Sequence, residues 1–219
     1  MATKAATKKI DSNKLIALYM DYVLENDAEP KSVYKFCKDV KIDESDFYNY
    51  YGSIESIRKG IWVKFYDNTF ELLDKNKEYL SFTNRDKMLT FFFTFFELLT
   101  QNRSYVLFTL QNQKNKLESL EQLKGLRKKV KEFSGDLIEQ ANEEKTLNIT
   151  KQNKSLFSEG AWLQLLFLLR FWLNDSSAGF EDTDVAIEKS VRTIFDVFDN
   201  SVLESIIDFG KFLYQSSKA

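Results

Sequence analysis

Residues 32–62, SVYKFCKDVKIDESDFYNYYGSIESIRKGIW, hold the side chains whose types and spacing carry a specific signal. Two short helical patterns meet at a tight turn around Lys41-Ile42-Asp43. An aromatic run, a Gly52-Ser53 break and a third helix start follow. Hydroxyl, amide and carboxylate groups crowd this stretch, so the chemistry on offer is hydrogen bonding to a polar partner. Catalytic equipment is missing from the sequence. There is no histidine for general-base work, no G-x-S-x-G, no phosphate-cradling Gly loop and, with one cysteine, no spacing for a structural zinc. Neither an enzyme nor a bound metal or cofactor is expected. Cys37 lies on the apolar face of the first short pattern, where a thiol is ordinarily an inert hydrophobe rather than a redox sensor.

The elements that must position these groups are helices. One Pro and seven Gly in 219 residues are too few turn residues for sandwiches, barrels or Gly-rich nucleotide folds. A hydrophobic content of 43 %, 15 % aromatic, fills a sizeable core. The expected fold is all-α with about nine helices. The first follows Asp11 or Ser12 as N-cap and buries Leu15, Ile16, Tyr19, Tyr22 and Val23. Ser32 caps a second with Val33, Phe36, Cys37 and Val40 inward; Asp43 caps a third, with Asp46 in a box-like arrangement. Ser53 caps a fourth, running from Ile54 to about Leu80. Thr83, with Asp86 three residues on, opens a fifth that reaches Thr100, and a short sixth covers Ser104–Gln111. Residues 114–144 form a charged amphipathic seventh, and 154–174 an eighth that is apolar nearly all round. A last helix starts at Asp182 or Thr183, with Ile187, Val191, Ile194, Phe198 and Val202 on one side.

Net charge is −2, and residues 1–52 hold eight lysines, nine acids and no arginine, so no global basic footprint marks a nucleic-acid binder. The apolar runs 88–99 and 161–173 are shorter than the ~20 residues a membrane-spanning helix needs, and Arg170 interrupts the second. With no apolar leader in Met1–Lys9, a cytoplasmic protein without a membrane partner is expected.

The layout of residues 32–55 resembles the helix-turn-helix head of the TetR family of bacterial transcription regulators, whose pattern runs T-x-x-x-I-A-x-x-A-G-V-S-x-G-T-x-Y-x-H/Y-F-x-S-K-E. Ser32 stands at the first Thr, Phe36-Cys37 at Ile-Ala, and Val40-Lys41-Ile42-Asp43 at Ala-Gly-Val-Ser. Phe47-Tyr48 match the apolar-Tyr pair, Tyr50-Tyr51 the His/Tyr-Phe pair, and Ser53-Ile54-Glu55 replace Ser-Lys-Glu. A nearly all-apolar penultimate helix, a short Asp/Ser loop and a long amphipathic last helix are similar to the family's dimerising pair. The resemblance implies a three-helix DNA-binding head over residues 1–55 and a helical-bundle ligand-binding and dimerisation body over 56–219. It implies a homodimer bound to a double-stranded DNA operator, with the third helix in the major groove.

The positions it carries over as DNA contacts are Ser32, Glu44, Ser45, Asp46, Tyr48, Asn49 and Tyr50. Ser32 and Tyr48 can donate to phosphate oxygens, Asn49 can pair with adenine, and Ser45 suits several base edges. Lys41 joins them as a cation, with Lys31, Lys35 and Lys38, to offset Glu44 and Asp46. Lys41 also stands at the family's turn glycine, so it must accept an unusual backbone angle or remodel the turn. Ile54 stands where the family has a phosphate-pinning Lys.

The resemblance further implies an effector, an apolar or amphipathic small molecule held in the body. Phe92, Phe96, Glu97, Trp162, Phe167 and Arg170 are the candidate lining residues. By composition alone the aromatic cluster is equally a close-packed core, and Glu97 and Arg170 equally pair with each other or reach solvent. Phe171, Val191, Ile194, Phe198 and Val202 are the candidate interface between copies. The alternative function is a helical dimer of this fold that has lost DNA binding and serves as a lipid or small-molecule carrier or a protein-interaction module.

Overall fold

The computed structural model describes residues 10–111, 120–143 and 153–199. Among them the chain forms nine α-helices and no strand: α1 Ser12–Asn26, α2 Val33–Val40, α3 Glu44–Tyr48, α4 Ile54–Leu73, α5 Asn84–Gln101, α6 Arg103–Gln111, α7 Lys124–Glu143, α8 Lys154–Asn174 and α9 Glu181–Asp199. The fold is therefore all-α, as the scarcity of Gly and Pro requires.

The helix starts are set by side chains that satisfy N–H groups with no intrahelical partner. Asp11 accepts from the Lys14 N–H at 2.7 Å, and Ser32 accepts from that of Lys35 at 3.1 Å. Ser53 and Ser56 exchange bonds, each hydroxyl accepting from the other's backbone N–H. Thr83 accepts from the Asp86 N–H at 3.2 Å and donates to the Asp86 carboxylate at 2.6 Å. Asp43 departs from expectation. It occupies the N-cap position of α3 but makes no side-chain cap bond.

Two helices are shorter than the apolar spacing suggests. α4 stops at Leu73 instead of continuing to Leu80, because Asn76 accepts from the Glu78 N–H and stabilises a turn in competition with the helix. In the expected 114–144 helix a turn at Gln122 and Leu123 precedes the continuous segment that starts at Lys124; residues 114–119 and 144 lie outside the described residues.

Contacts group the chain into two units, Met1–Phe65 with Leu99–Gly125, and Tyr66–Leu98 with Leu126–Ala219. The first contains the expected head and adds the start of α4, α6 and the beginning of α7. Its core is Leu15, Tyr19, Val23, Phe36, Phe47, Ile57, Trp62 and Tyr105, all buried. The core of the second is aromatic. Phe91 packs its ring against Phe92, Phe95 and Phe133 with centroids 5.1–5.7 Å apart.

In the second unit α8 and α9 form an antiparallel hairpin, fixed by the Phe157–Phe195 ring contact (5.5 Å) and a Gln164–Ser190 hydrogen bond (2.9 Å). α8 is the one helix among the described residues long and apolar enough to cross a membrane, and half of its most apolar stretch is buried within the protein. The hairpin turn is closed by Asp175. Its carboxylate accepts from the Thr183 hydroxyl (2.6 Å) and N–H (2.9 Å) and from the Ser177 hydroxyl (2.7 Å) and N–H (2.8 Å).

Burial works against the charge on Asp175, but these hydrogen bonds outweigh it and hold the carboxyl down at about 2. A depressed carboxyl stabilises the fold above its unfolded value and loses that contribution as pH falls through the folded one. Asp175→Ala is therefore expected to cost about 1–3 kcal/mol near neutrality. The gap from wild type should close between roughly pH 4 and pH 2, as measured by denaturant unfolding across that range.

Candidate nucleic-acid interface

The surface around α3 is built from the inside outward. Phe47, wholly buried, places its ring edge-on to Phe36 at 6.0 Å, and Phe36 meets Tyr19 and Tyr22 edge-on at 5.7 and 5.6 Å. Tyr51 closes the far end of α3. Its ring lies 6.2 Å from Phe47, and its hydroxyl bonds to the Ser12 hydroxyl at 2.9 Å. With Phe47 turned inward, Ser45, Tyr48, Asn49 and Tyr50 are exposed, while Glu44 and Asp46 are half-buried.

The turn before α3 resolves the question posed by Lys41. Its backbone lies in the left-handed region, φ 58° and ψ 49°. The Ile42 N–H returns to the Cys37 carbonyl at 3.0 Å, the bond that closes a Schellman turn, with apolar Ile42 and Cys37 at its contact positions. The turn thus keeps its shape without glycine, at the cost of a Cβ crowding its own backbone.

Charge is distributed unevenly. Lys35 pairs with Asp39 at 2.8 Å, and Lys38 lies 5.9 Å from the Tyr34 ring centroid. Lys31 and Lys41 are exposed. Ser32 has a prior engagement as the α2 cap, so its hydroxyl can still donate a hydrogen bond outward while its lone pair holds the Lys35 N–H. Cys37 is buried, which pushes its thiol up to about 11, with Glu44, Asp43 and Asp46 adding to the effect. It stays protonated and unreactive at neutral pH. Among the described residues no cluster of three or more His, Cys, Asp or Glu is placed to hold a metal ion.

Seven of the eight head positions come from the family resemblance and Lys41 is added as a cation; Ser32, Lys41, Ser45, Tyr48, Asn49 and Tyr50 are exposed, and Glu44 and Asp46 half-buried. Sequence reasoning missed Tyr34, 60 % exposed on α2, whose signal is an aromatic residue out of register with the apolar Val33, Phe36, Cys37 and Val40.

The body positions divide differently. Phe92, Phe96 and Trp162 are buried in the aromatic core of the second unit, whereas Phe167, Glu97 and Arg170 are exposed, and no ion pair joins Glu97 to Arg170. These six residues therefore do not line one cavity. Phe167 and Arg170 instead border a surface hollow of about 490 Å³ with Phe171 and Asp182. Of the interface positions, Phe171 is exposed and Ile194 half-buried. Both line a groove of about 750 Å³ between α8 and α9, with Leu163, Phe167, Val185 and Ala186. Val191 is a correction to the expected face. It is 1 % exposed, turned into the core within its own chain. Val202 and the Phe198 side chain lie outside the described residues.

Residues 87–213 match the family described as "Tetracyclin repressor-like, C-terminal domain". The chain belongs to the tetracyclin repressor-like, or TetR, family. Its fold is similar to the crystal structure of a protein described as a TetR-family transcriptional regulator from Syntrophomonas wolfei, with a TM-score of 0.62 and 17 % identity over 84 % of this chain and 93 % of that one. The fatty acid degradation regulator FadR from Bacillus halodurans aligns with a TM-score of 0.49 and 14 % identity, covering 87 % of this chain and 98 % of that one. No curated protein sequence matches that of this chain.

Because Lys41 holds a left-handed backbone, Lys41→Gly is expected to raise unfolding stability by about 0.5 kcal/mol, the relief of Cβ crowding less the extra chain entropy. Lys41→Ala keeps the Cβ and is expected to gain nothing. Midpoints of denaturant unfolding at constant slope distinguish the two.

Proposed function

We propose that the protein is a homodimeric, DNA-binding transcription regulator of the cytoplasm whose operator affinity is lowered by an apolar or amphipathic small molecule. The observation that carries this reading is the exposed set Ser45 and Tyr48 on a short helix pinned from behind by Phe47, with Asn49 and Tyr50 in the turn that ends it, next to a helix-turn-helix bend that keeps its geometry despite Lys41. Such a surface offers hydroxyl donors to phosphates and an amide to adenine, the division of labour expected of a major-groove reader. Lys31, Lys38 and Lys41 supply the positive charge that Glu44 and Asp46 oppose. Ser32, Glu44 and Asp46 complete the set of contacts in this reading.

Support for the dimer comes from the α8–α9 hairpin. Leu163, Phe167, Phe171 and Val185 are 63, 54, 38 and 45 % exposed, an apolar strip of the kind that a second copy covers by two-fold symmetry. The two heads would then reach half-sites about one helical turn, ~34 Å, apart. Support for an effector is the tetracyclin repressor-like body together with its aromatic core. An effector there must open a void that Phe92, Phe96 and Trp162 now fill, so it acts by favouring a conformation with a different head spacing.

Two measurements test this reading. Wild type is expected to scatter light as a dimer, and Phe167→Glu with Phe171→Glu as a monomer with unchanged helix content; a dimeric double mutant places the interface elsewhere. On duplexes that wild type retains, Tyr48→Phe is expected to weaken binding several-fold, about 1 kcal/mol for one phosphate hydrogen bond. Asn49→Ala is expected to relax sequence preference, and unchanged affinity and preference in both would remove α3 as the reading helix.

A further inference from the structure

Two glycines of the first unit mark close approaches to α4. A Cβ added at Gly60 would lie 2.6 Å from Tyr51 Cε1, and one at Gly125 would lie 2.6 Å from Val63 Cγ2. The second contact is the stiffer. Val63 is β-branched, with one strongly preferred rotamer in a helix, and cannot swing aside cheaply. Gly125 is in the first turn of α7, so that turn lies flush against α4.

Two polar links accompany this close approach. The buried Trp62 donates its Nε1–H to Gln122 Oε1 at 3.0 Å, and Lys59 pairs with Glu121 at 3.4 Å. Gln122, 1 % exposed, also donates from Nε2 to the Thr109 carbonyl, in the last turn of α6, at 3.2 Å. One amide thus ties α6 to α4. The head holds the same stretch of α4, through Tyr51 against Gly60 and through the ion pair of Arg58 with Glu29. Residues 58–63, under two helical turns, are held both by the head and by the start of α7.

We propose that the turn at Gln122-Leu123 and the first turn of α7 together form the brace that fixes where α4 presents the DNA-reading head, with Gly125 and Gln122 as its positioning residues. This rests on the DNA-binding reading above. A side chain at 125 levers α4 off the brace and displaces the head's support while leaving every α3 contact residue intact. Base and phosphate contacts tolerate displacements of only about 0.5 Å.

Duplexes enriched from a random pool by the wild-type protein serve as the probe. Gly125→Ala is expected to bind them about tenfold more weakly while remaining a folded dimer. Gly125→Ala with Val63→Ala, which removes the obstructing methyl, is expected to recover most of that loss. Gly135→Ala is the control on the same helix. Its Cβ would meet the flexible end of Lys154, and affinity is expected to stay at the wild-type value. Wild-type affinity in Gly125→Ala, or a loss that Val63→Ala does not reverse, overturns the brace. If Gly125→Ala does not fold, Trp62→Phe carries the test: it keeps an aromatic ring at the site but removes the indole N–H bound by Gln122, and a folded Trp62→Phe protein with unchanged affinity overturns the proposal. A folded wild-type dimer that enriches no duplex overturns the DNA-binding reading itself, and with it the role of the brace.

Discussion

A helix of five residues has no stability of its own, since its nucleation cost is never repaid by propagation. α3 exists because Phe47 is buried against Phe36 and Tyr51. That ring contact is the constraint on which the head depends. It fixes α3 against α2, and by turning Phe47 inward it obliges Ser45, Tyr48 and Asn49 to face outward. Phe36 passes the constraint back to α1 through Tyr19 and Tyr22. Tyr51 extends it forward, through Ser12 and through its contact line with Gly60 of α4. The polar surface is therefore positioned by aromatic packing, and substitutions behind α3 would disturb it as surely as substitutions on it.

The head combines this rigid placement with weak charge. Lys35 is drawn to Asp39, and Lys38 to the Tyr34 face. Glu44 and Asp46 at the start of α3 are half-buried and set negative charge against the lysines of the head. Tyrosines and an asparagine, not arginines, populate the outward row. On the proposed DNA-binding reading, discrimination by such a surface would come from hydrogen-bond geometry, and correct presentation of the head by α4 would be more consequential than for a strongly basic reader.

Much of this was legible in the sequence, because the signals were local. Ser32, Ser53 and Thr83, and Asp11 as one of two candidates, were identifiable as caps by residue type, Thr83 also by Asp86 three positions on, and each accepts the bond that its position calls for. At Lys41 the family resemblance leaves an unusual backbone angle or a remodelled turn as alternatives, and the residue adopts the left-handed angle. What was not legible depended on distant partners. The end of α4 at Leu73 and the break before α7 interrupt patterns whose apolar spacing continues, and nothing in the spacing of Gln122 announces that its amide joins Trp62 to α6. Glycines inside helical patterns were the available clue to close approach at Gly60 and Gly125. Val191 shares the period of the exposed face but turns into the core, since a 3.6-residue repeat names a stripe without saying which neighbour covers it. Glu97 and Arg170 drew attention as charges in apolar runs, and both simply reach solvent.

The most direct test is selection of random duplex DNA on the purified protein, at low salt and again at moderate salt. The expected result is enrichment of a palindromic motif with half-sites about one helical turn apart, with retention falling as salt rises. Absence of enrichment at both salts, from a protein confirmed as a folded dimer, would contradict the account and leave a TetR-family fold that does not read DNA.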